Sequence, residues 1–441
     1  MKLSSALQEL KLKFNSADTK FAGLEQGKEY LLSSAEDKSA IENALGISLP
    51  EVGATEAVLD FTSLLPQLMT DKGATVTSTI EVDVKANNRW ASEDATVNRV
   101  YTLKCNKPEF SIVTNPGNFW CKEFSVDSCD IKTGDIETIS QKIQYQYRKK
   151  GDEQWIDCDR LVQFDDYPVD KQYQIRAVYR EGIETEPVDV VLETPQQLPN
   201  SDMEEWYIEE KKKSGTWPFK DKTYYTFHPY TEGNASSSWW ATNNDKAQGG
   251  TYALGIWYEG CFASCVSYTE DAHGGTKAAL MYLSGCGDGY ANTAGTYVGG
   301  AMVGSLFIGT YDSGIIQGHD FDSRPTSMSF WYKYKPYNSD AFKVVVSLKN
   351  GDREIATGTY EPAASSEEDG EYGHATVDFN YTEPFEKATS ICVQFLASNK
   401  TSLSQSDFDL GTTITYPVIG DWTVHMGSIL KIDDISLAFD K

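Results

Sequence analysis

The chain of 441 residues contains no run of 18 consecutive apolar residues, which excludes a membrane-crossing helix of ordinary length. Basic residues are also in deficit. Lys and Arg number 39 against 65 Asp and Glu, giving a net charge of −26, and a field of that sign repels nucleic-acid phosphates and anionic lipid headgroups across the whole surface. Nucleic acid is therefore excluded as a partner. Histidine is scarce: the five, at 228, 273, 319, 374 and 425, form no H-E-x-x-H zinc motif. No G-x-S-x-G is present, and the run from Gly285 to Gly289 lacks the spacing of a phosphate-binding loop. The eight cysteines (105, 121, 129, 158, 261, 265, 286 and 392) include no C-x-x-C, so they outline no metal framework. Cys261 and Cys265, four apart, would share one face of a strand. Disulfides and buried free thiols are both compatible with this set. Met1 to Leu10 lacks the apolar stretch and small-residue cleavage site of a signal peptide. The protein is then either cytosolic or separated from its export signal.

What the chain has in abundance is aromatic residues, with 10 Trp, 25 Tyr and 19 Phe, together with 34 Gly. That composition predicts a protein rich in strand, and the length predicts two to four domains. Residues 1–105 read as a small immunoglobulin-like sandwich with one helix. Ser34 caps that helix, which runs to Leu45 and stops at Gly46. Beside it, Val76 to Val84 alternates apolar and polar residues with the period of a half-buried strand. Residues 106–195 read as purely β: Tyr145 and Tyr147 alternate, the chain turns at Gly151, Trp155 returns to the sheet, and Tyr173 to Tyr179 alternates again. This segment resembles the fibronectin type III family, which implies a spacer and no chemistry. The prolines of Thr194–Pro199 predict a short stiff connector and an independently folding part beyond it. Residues 196–441 read as one large sandwich with long Gly-rich loops and clean strands at Ser327–Lys335, Phe342–Leu348, Ser390–Leu396 and Ile429–Phe439. The fold class expected is mainly β: tandem β-sandwich modules followed by a C-terminal jelly roll.

Three motifs in the last segment carry a more specific resemblance. Asn200-Ser201-Asp202-Met203-Glu204-Glu205-Trp206 is similar to an entry motif of the form N-G-D-F-E-x-W. Leu306-Phe307-Ile308-Gly309, followed by Gly318, Phe321, Arg324-Pro325 and Trp331-Tyr332-Lys333-Tyr334, matches a middle motif. Gly427-Ser428, Leu430, Asp433-Asp434 and Leu437 match a terminal strand. Together they resemble the carbohydrate-metabolism (PCMD-type) domain family of bacterial surface lipoproteins, in which immunoglobulin-like modules stand upstream. The resemblance implies a galactose-binding-like jelly roll on an exported, lipid-anchored protein of the outer membrane or cell surface, its anchor absent from this chain.

In a jelly roll the first and last strands lie close together. Glu204, Asp433 and Asp434 would then converge, and carboxylates with backbone carbonyls suffice for a structural calcium; the alternative is that the acids are solvated turn residues. For ligand binding, the dense aromatic set comprises Trp239-Trp240, Tyr252, Trp257-Tyr258 and Trp331-Tyr332-Tyr334. Indole and phenol rings stack on the C–H faces of sugars while Asn and Asp bond the hydroxyls. Trp239 and Trp240 are the expected platform, with Asn243, Asn244 and Asp245 at its rim; core packing is the competing reading. No pair of carboxylates is fixed by the sequence at the separation glycoside hydrolysis needs. The expected function is non-catalytic binding of a neutral glycan, with a structural or adhesive protein and a glycan-processing hydrolase as alternatives. A groove with two or more carboxylates favours the hydrolase, an exposed aromatic platform the binder, and flat polar faces the adhesin.

Overall fold

The computed structural model describes residues 6–16, 23–56, 58–61, 76–87, 95–105, 108–133, 136–180, 183–215, 217, 220–248, 252–253, 256–257, 262–285, 301–312, 314–362 and 371–441. The protein is mainly β, with 50% of it in strands and 8% in helix. None of the described helices is long and apolar enough to cross a membrane. The chain divides into two compact units, one of residues 1–114, 126–160 and 173–189, the other of residues 115–125, 161–172 and 190–441.

In the first unit an antiparallel sheet orders the strands Glu29–Leu31, Leu7–Ser16, Val76–Ala86 and Ala95–Cys105. Alternation puts Ile80, Val82 and Val84 on the buried face with Leu10, Leu12 and Phe14. The helix Ala35–Leu45 covers that face through Ile41 and Leu45. Ser34 accepts from the Asp37 N–H at one end, and Gly46 leaves the helix at φ 65° at the other, a left-handed conformation for which glycine is suited. A second sheet pairs Gln144–Lys149 with Ile156–Cys158 and with Gln172–Arg180. The guanidinium groups of Arg148 and Arg176 both lie over the Trp155 ring, at 4.3 and 4.2 Å from its centroid.

The second unit is built on two antiparallel sheets. One orders Trp240–Thr242, Ser305–Tyr311, Ser390–Leu396, Lys343–Asn350, Arg353–Tyr360 and Asn380–Tyr381, with Ile315–Gln317 and His319–Asp320 attached. The other orders Val266–Thr269, Ala278–Ser284, Gly420–Ala438, Ser327–Lys335 and Gly373–Asp378. Their inner faces share one core, in which Met328, Phe330, Tyr332 and Tyr334 from one sheet meet Val344, Val346 and Phe395 from the other. Trp331 faces the opposite way, as period-two alternation requires.

The division between units does not fall at residue 195. Arg324 is 1% exposed; its Nε donates to Glu193 Oε1 at 2.8 Å and its guanidinium covers the Trp120 ring at 3.7 Å. Gln197 exchanges two hydrogen bonds with the backbone of Leu437, and Leu198 is buried. The Thr194–Pro199 segment therefore belongs to the same packed body as the two sheets. Cys261, Cys286, Tyr258 and most of the Gly285–Gly289 run lie outside the described residues, as do the side chains of Tyr252 and Trp257. The described cysteines 121, 129, 158, 265 and 392 are free thiols; burial pushes the Cys265 thiol up to about 12.

Candidate functional site

Pairing decides which of the two adjacent tryptophans faces solvent. Trp240 opens the short strand that pairs with Ser305–Tyr311 in the register Trp240↔Ile308, and this turns its ring into the core, 1% exposed. Its indole Nε1 donates to the Pro199 carbonyl at 2.8 Å. Trp239 is half-buried and lies against the His319 ring, centroids 4.1 Å apart and planes 16° apart, with Phe321 edge-on at 6.2 Å.

A cleft of about 90 Å³ is lined by Trp239 and Tyr230 together with Asn200, Glu205, Asn234 and Ser238. Tyr230 stacks on His228 at 5.1 Å and 28°. His228 in turn meets Glu209 Oε2 at 2.9 Å through Nε2. Burial pushes the Glu209 carboxyl up, but the hydrogen bond to His228 and the charge of Lys211 outweigh it and hold the group below the usual range. Asn200, at φ 48°, fixes the rim: its amide donates to the carbonyls of Glu205 and Pro229 and accepts from the Glu205 N–H. Each wall thus has one ring face covered by an imidazole.

Three expected rim or platform residues do other work. Trp240 is core. Asn243, 4% exposed, donates to the Val303 carbonyl and accepts from the Ser305 N–H. Asn244, fully buried, donates to the carbonyls of Phe227 and Val266 and accepts from the Val266 N–H. Where the short strand ends at Thr242, these two amides satisfy backbone groups that a longer ladder would otherwise pair, and leave nothing for a ligand. Asp245 is on the surface and bonds Lys211 at 2.7 Å. Of the five residues expected here, Trp239 alone lines the cleft with a half-buried ring. Tyr230, His228 and His319 were not among those singled out; the signal for them was a histidine two residues before Tyr230 and another after Gly318.

Glu204, Asp433 and Asp434 each bond the loop from His273 to Lys277. Glu204 Oε1 accepts from the N–H groups of Thr276 and Lys277 at 2.5 and 2.9 Å, and its Oε2 accepts from the Thr276 hydroxyl at 2.6 Å. Asp433, fully buried, accepts from the N–H groups of His273, Gly274 and Asp434. Burial still dominates and pushes its carboxyl up. Asp434 Oδ2 bonds His273 Nδ1 at 2.6 Å, and the His273 ring lies on Trp331 at 3.8 Å and 12°. A side chain at Gly275 would place its Cβ 2.1 Å from Glu204 Oε1, with φ at +60°, so glycine is required there. As placed, these carboxylates receive N–H donors rather than facing a cation with other oxygens, and no group of three His, Cys, Asp or Glu is disposed to hold a metal among the described residues.

A larger cavity of about 310 Å³ in the first unit is lined by Leu7, Leu10, Phe61, Val82, Val84 and Tyr101, among others. Its apolar walls give a ligand few polar groups to recognise. The Trp239 cleft is smaller but carries both rings and polar atoms, and is the better site on chemical grounds.

No protein-family model matches the chain, and no curated protein does. Solved structures similar to it include carbohydrate-binding modules from the β-sandwich superfamily, at 8% identity, covering 75% of this chain and 98% of that one with a TM-score of 0.23. A structure described as "CBM4 structure and function" is 12% identical and covers 31% of this chain and 75% of its own, TM-score 0.15. The enzymatically active domain of tailspike protein 4 of bacteriophage CBA120 is 10% identical over 46% of this chain, TM-score 0.23, and the match spans 19% of the tailspike's length. The functional argument rests on the cleft itself.

Proposed function

We propose that the C-terminal domain binds carbohydrate without cleaving it, holding one neutral sugar ring between Trp239 and Tyr230, and that the upstream modules are the spacer of an exported, lipid-anchored surface protein. The observation that carries this reading is the pair of aromatic rings lining one cleft, each backed by an imidazole. Stacking on sugar C–H groups needs ring faces held in place, and the histidines supply that support. Asn234 and Ser238 line the same cleft; the Asn234 amide N–H donates to Thr231 and the Ser238 hydroxyl to the Trp240 carbonyl, so what they offer sugar hydroxyls is acceptor oxygen. Glu205 is the single carboxylate along this lining, whereas glycoside hydrolysis requires two roughly 5–9 Å apart. A cleft this small, set against the roughly 300–1,000 Å³ of drug-sized sites, suits a terminal residue held weakly, with Kd in the micromolar to millimolar range, about −4 to −8 kcal/mol. A broad glycan screen followed by calorimetry tests the reading. Saturable binding to a neutral glycan supports it; retention of protein ligands alone moves the adhesin reading ahead.

Calcium at Glu204, Asp433 and Asp434 is a proposal with its own test. Burial pushes the Glu204 carboxyl up, but the hydroxyl and N–H bonds from Thr276 and Lys277 outweigh it and hold the group below its usual range. A lowered acid binds its proton less readily in the folded state. Its stabilisation is complete above the unfolded value of about 4.3 and is lost as pH falls through the lower folded value. Melting curves of the wild type and Glu204→Gln should therefore differ at neutral pH and converge in acid. A further fall in wild-type melting temperature with chelator, absent in the variant, supports calcium. No response to chelator assigns the three acids to the loop alone.

A further inference from the structure

The four-stranded sheet of the first unit ends on a long strand with an open edge. Ala95–Cys105 pairs with Val76–Ala86 over eleven consecutive positions without a register shift, and among the described residues no strand pairs with its other side. It contains no proline and no bulge, two devices that keep an edge from pairing with another chain. Its apolar side chains are also left open. The pairs Val84↔Val97 and Ile80↔Tyr101 put Val97 and Tyr101 on the face that carries the core, where Tyr101 lines the apolar cavity of this unit, yet they are 42% and 55% exposed; Val100, on the opposite face, is 54% exposed.

We infer that this strand pairs with the same strand of a second copy of the chain, antiparallel about a two-fold axis at Val100. Val100 is the midpoint of Ala95–Cys105, so this register uses the whole strand. It sets Thr96 opposite Lys104, Val97 opposite Leu103, Arg99 opposite Tyr101 and Val100 opposite itself, and no like charges meet directly. Val97, Arg99, Tyr101 and Leu103 share the core face, as alternate residues do, and a guanidinium beside a tyrosine ring is a cation–π pair. Moving the axis to Arg99 would set that guanidinium against its own copy, whereas moving it to Tyr101 would oppose Arg99 to Leu103 and shorten the overlap. The full register supplies on the order of ten main-chain hydrogen bonds, as many as a typical stable interface carries. Any strand could satisfy those backbone groups, but the match of charge and apolar positions about the midpoint singles out self-pairing. A dimer carries two Trp239 clefts, and two weak sites on one particle hold a multivalent surface more tightly than one; that consequence rests on the glycan reading, and the dimer does not.

Sedimentation equilibrium of the full chain from about 1 to 100 μM tests this. The mass should rise from one chain to two and stop there, because a two-fold contact closes on itself. Val100→Lys and Val100→Glu each set like charges face to face at the axis and should weaken dimerisation at least about tenfold. Both variants should keep the wild-type melting temperature at dilutions where the protein is monomeric, since the position is open to solvent. An equimolar mixture of the two should recover the dimer, because the mixed pair alone opposes Lys to Glu. Trp239→Ala should dimerise like the wild type, which separates this inference from the glycan reading. A wild type that stays monomeric at about 100 μM, assembly beyond two chains, a dimer that neither Val100 substitution weakens, or a mixture that remains monomeric each overturns the assignment.

Discussion

Replacing Trp240 by alanine is expected to destabilise the C-terminal domain by about 3–5 kcal/mol, the cost of removing a large buried ring, whereas Trp239→Ala should cost under about 2 kcal/mol. The neighbours differ because one is core and the other a wall. Trp240 also anchors the 199–205 segment through the Pro199 carbonyl, so its loss would leave that acceptor unpaired and loosen the rim on which Asn200 and Glu205 stand. Chemical denaturation of both variants by tryptophan fluorescence and circular dichroism checks this. Equal destabilisation would mean that the two rings are buried alike and that the cleft is closed.

The second large effect concerns Arg324. Its guanidinium donates to Glu193, to the carbonyls of Pro384, Glu386 and Phe119, and stacks on Trp120. Lys387 reaches the same Glu193 oxygen at 2.7 Å. Burial lowers the Lys387 pKa, against the pull of Glu193, and Glu193 Oε2 has no hydrogen-bond partner among the described residues. Arg324→Ala removes one charge from a buried set and takes the guanidinium donor from the Pro384 and Glu386 carbonyls, while Phe119 keeps the bond from Lys387, so a loss of about 3–5 kcal/mol is expected. The paired change Arg324→Met with Glu193→Leu, made together with Lys387→Met so that the lysine sharing Glu193 is not left unpaired, should recover much of it, because apolar replacement of every member removes the unpaired charge. Equilibrium unfolding of the single and triple variants decides the matter. A loss under about 1 kcal/mol in the single variant would show that this cluster does not hold residues 190–198 to the sheets.

The helix and the longer strands were legible because their signals are local. Ser34 and Gly46 mark helix ends by capping chemistry alone, and alternation in Val76–Val84 and Ser327–Lys335 needs only the period of the pleat. The Trp239-Trp240 pair shows where local reading stops. Alternation says that one ring is inside, but the choice depends on the partner strand and the register Trp240↔Ile308, which are remote in sequence. Asn243 and Asn244 misled for a related reason: asparagine is usually exposed, and only the end of a three-residue strand reveals the backbone groups that these amides satisfy. Chain-end proximity was the reason to expect Glu204 near Asp433 and Asp434; the loop that all three bond was not expected from it, because Gly274-Gly275 reads only as part of the Gly-rich loops and the approach of the Glu204 carboxylate to Gly275 is a tertiary fact.

The central claim, that sugar is held between Trp239 and Tyr230, is tested most directly by calorimetric titration of the neutral glycan found by screening into wild type, Trp239→Ala and Tyr230→Ala. Each variant is first shown to melt cooperatively. The account predicts saturable wild-type binding and at least about a tenfold loss in either variant, matching one stacking contact of about 1.4 kcal/mol. Undiminished binding in both folded variants would contradict it.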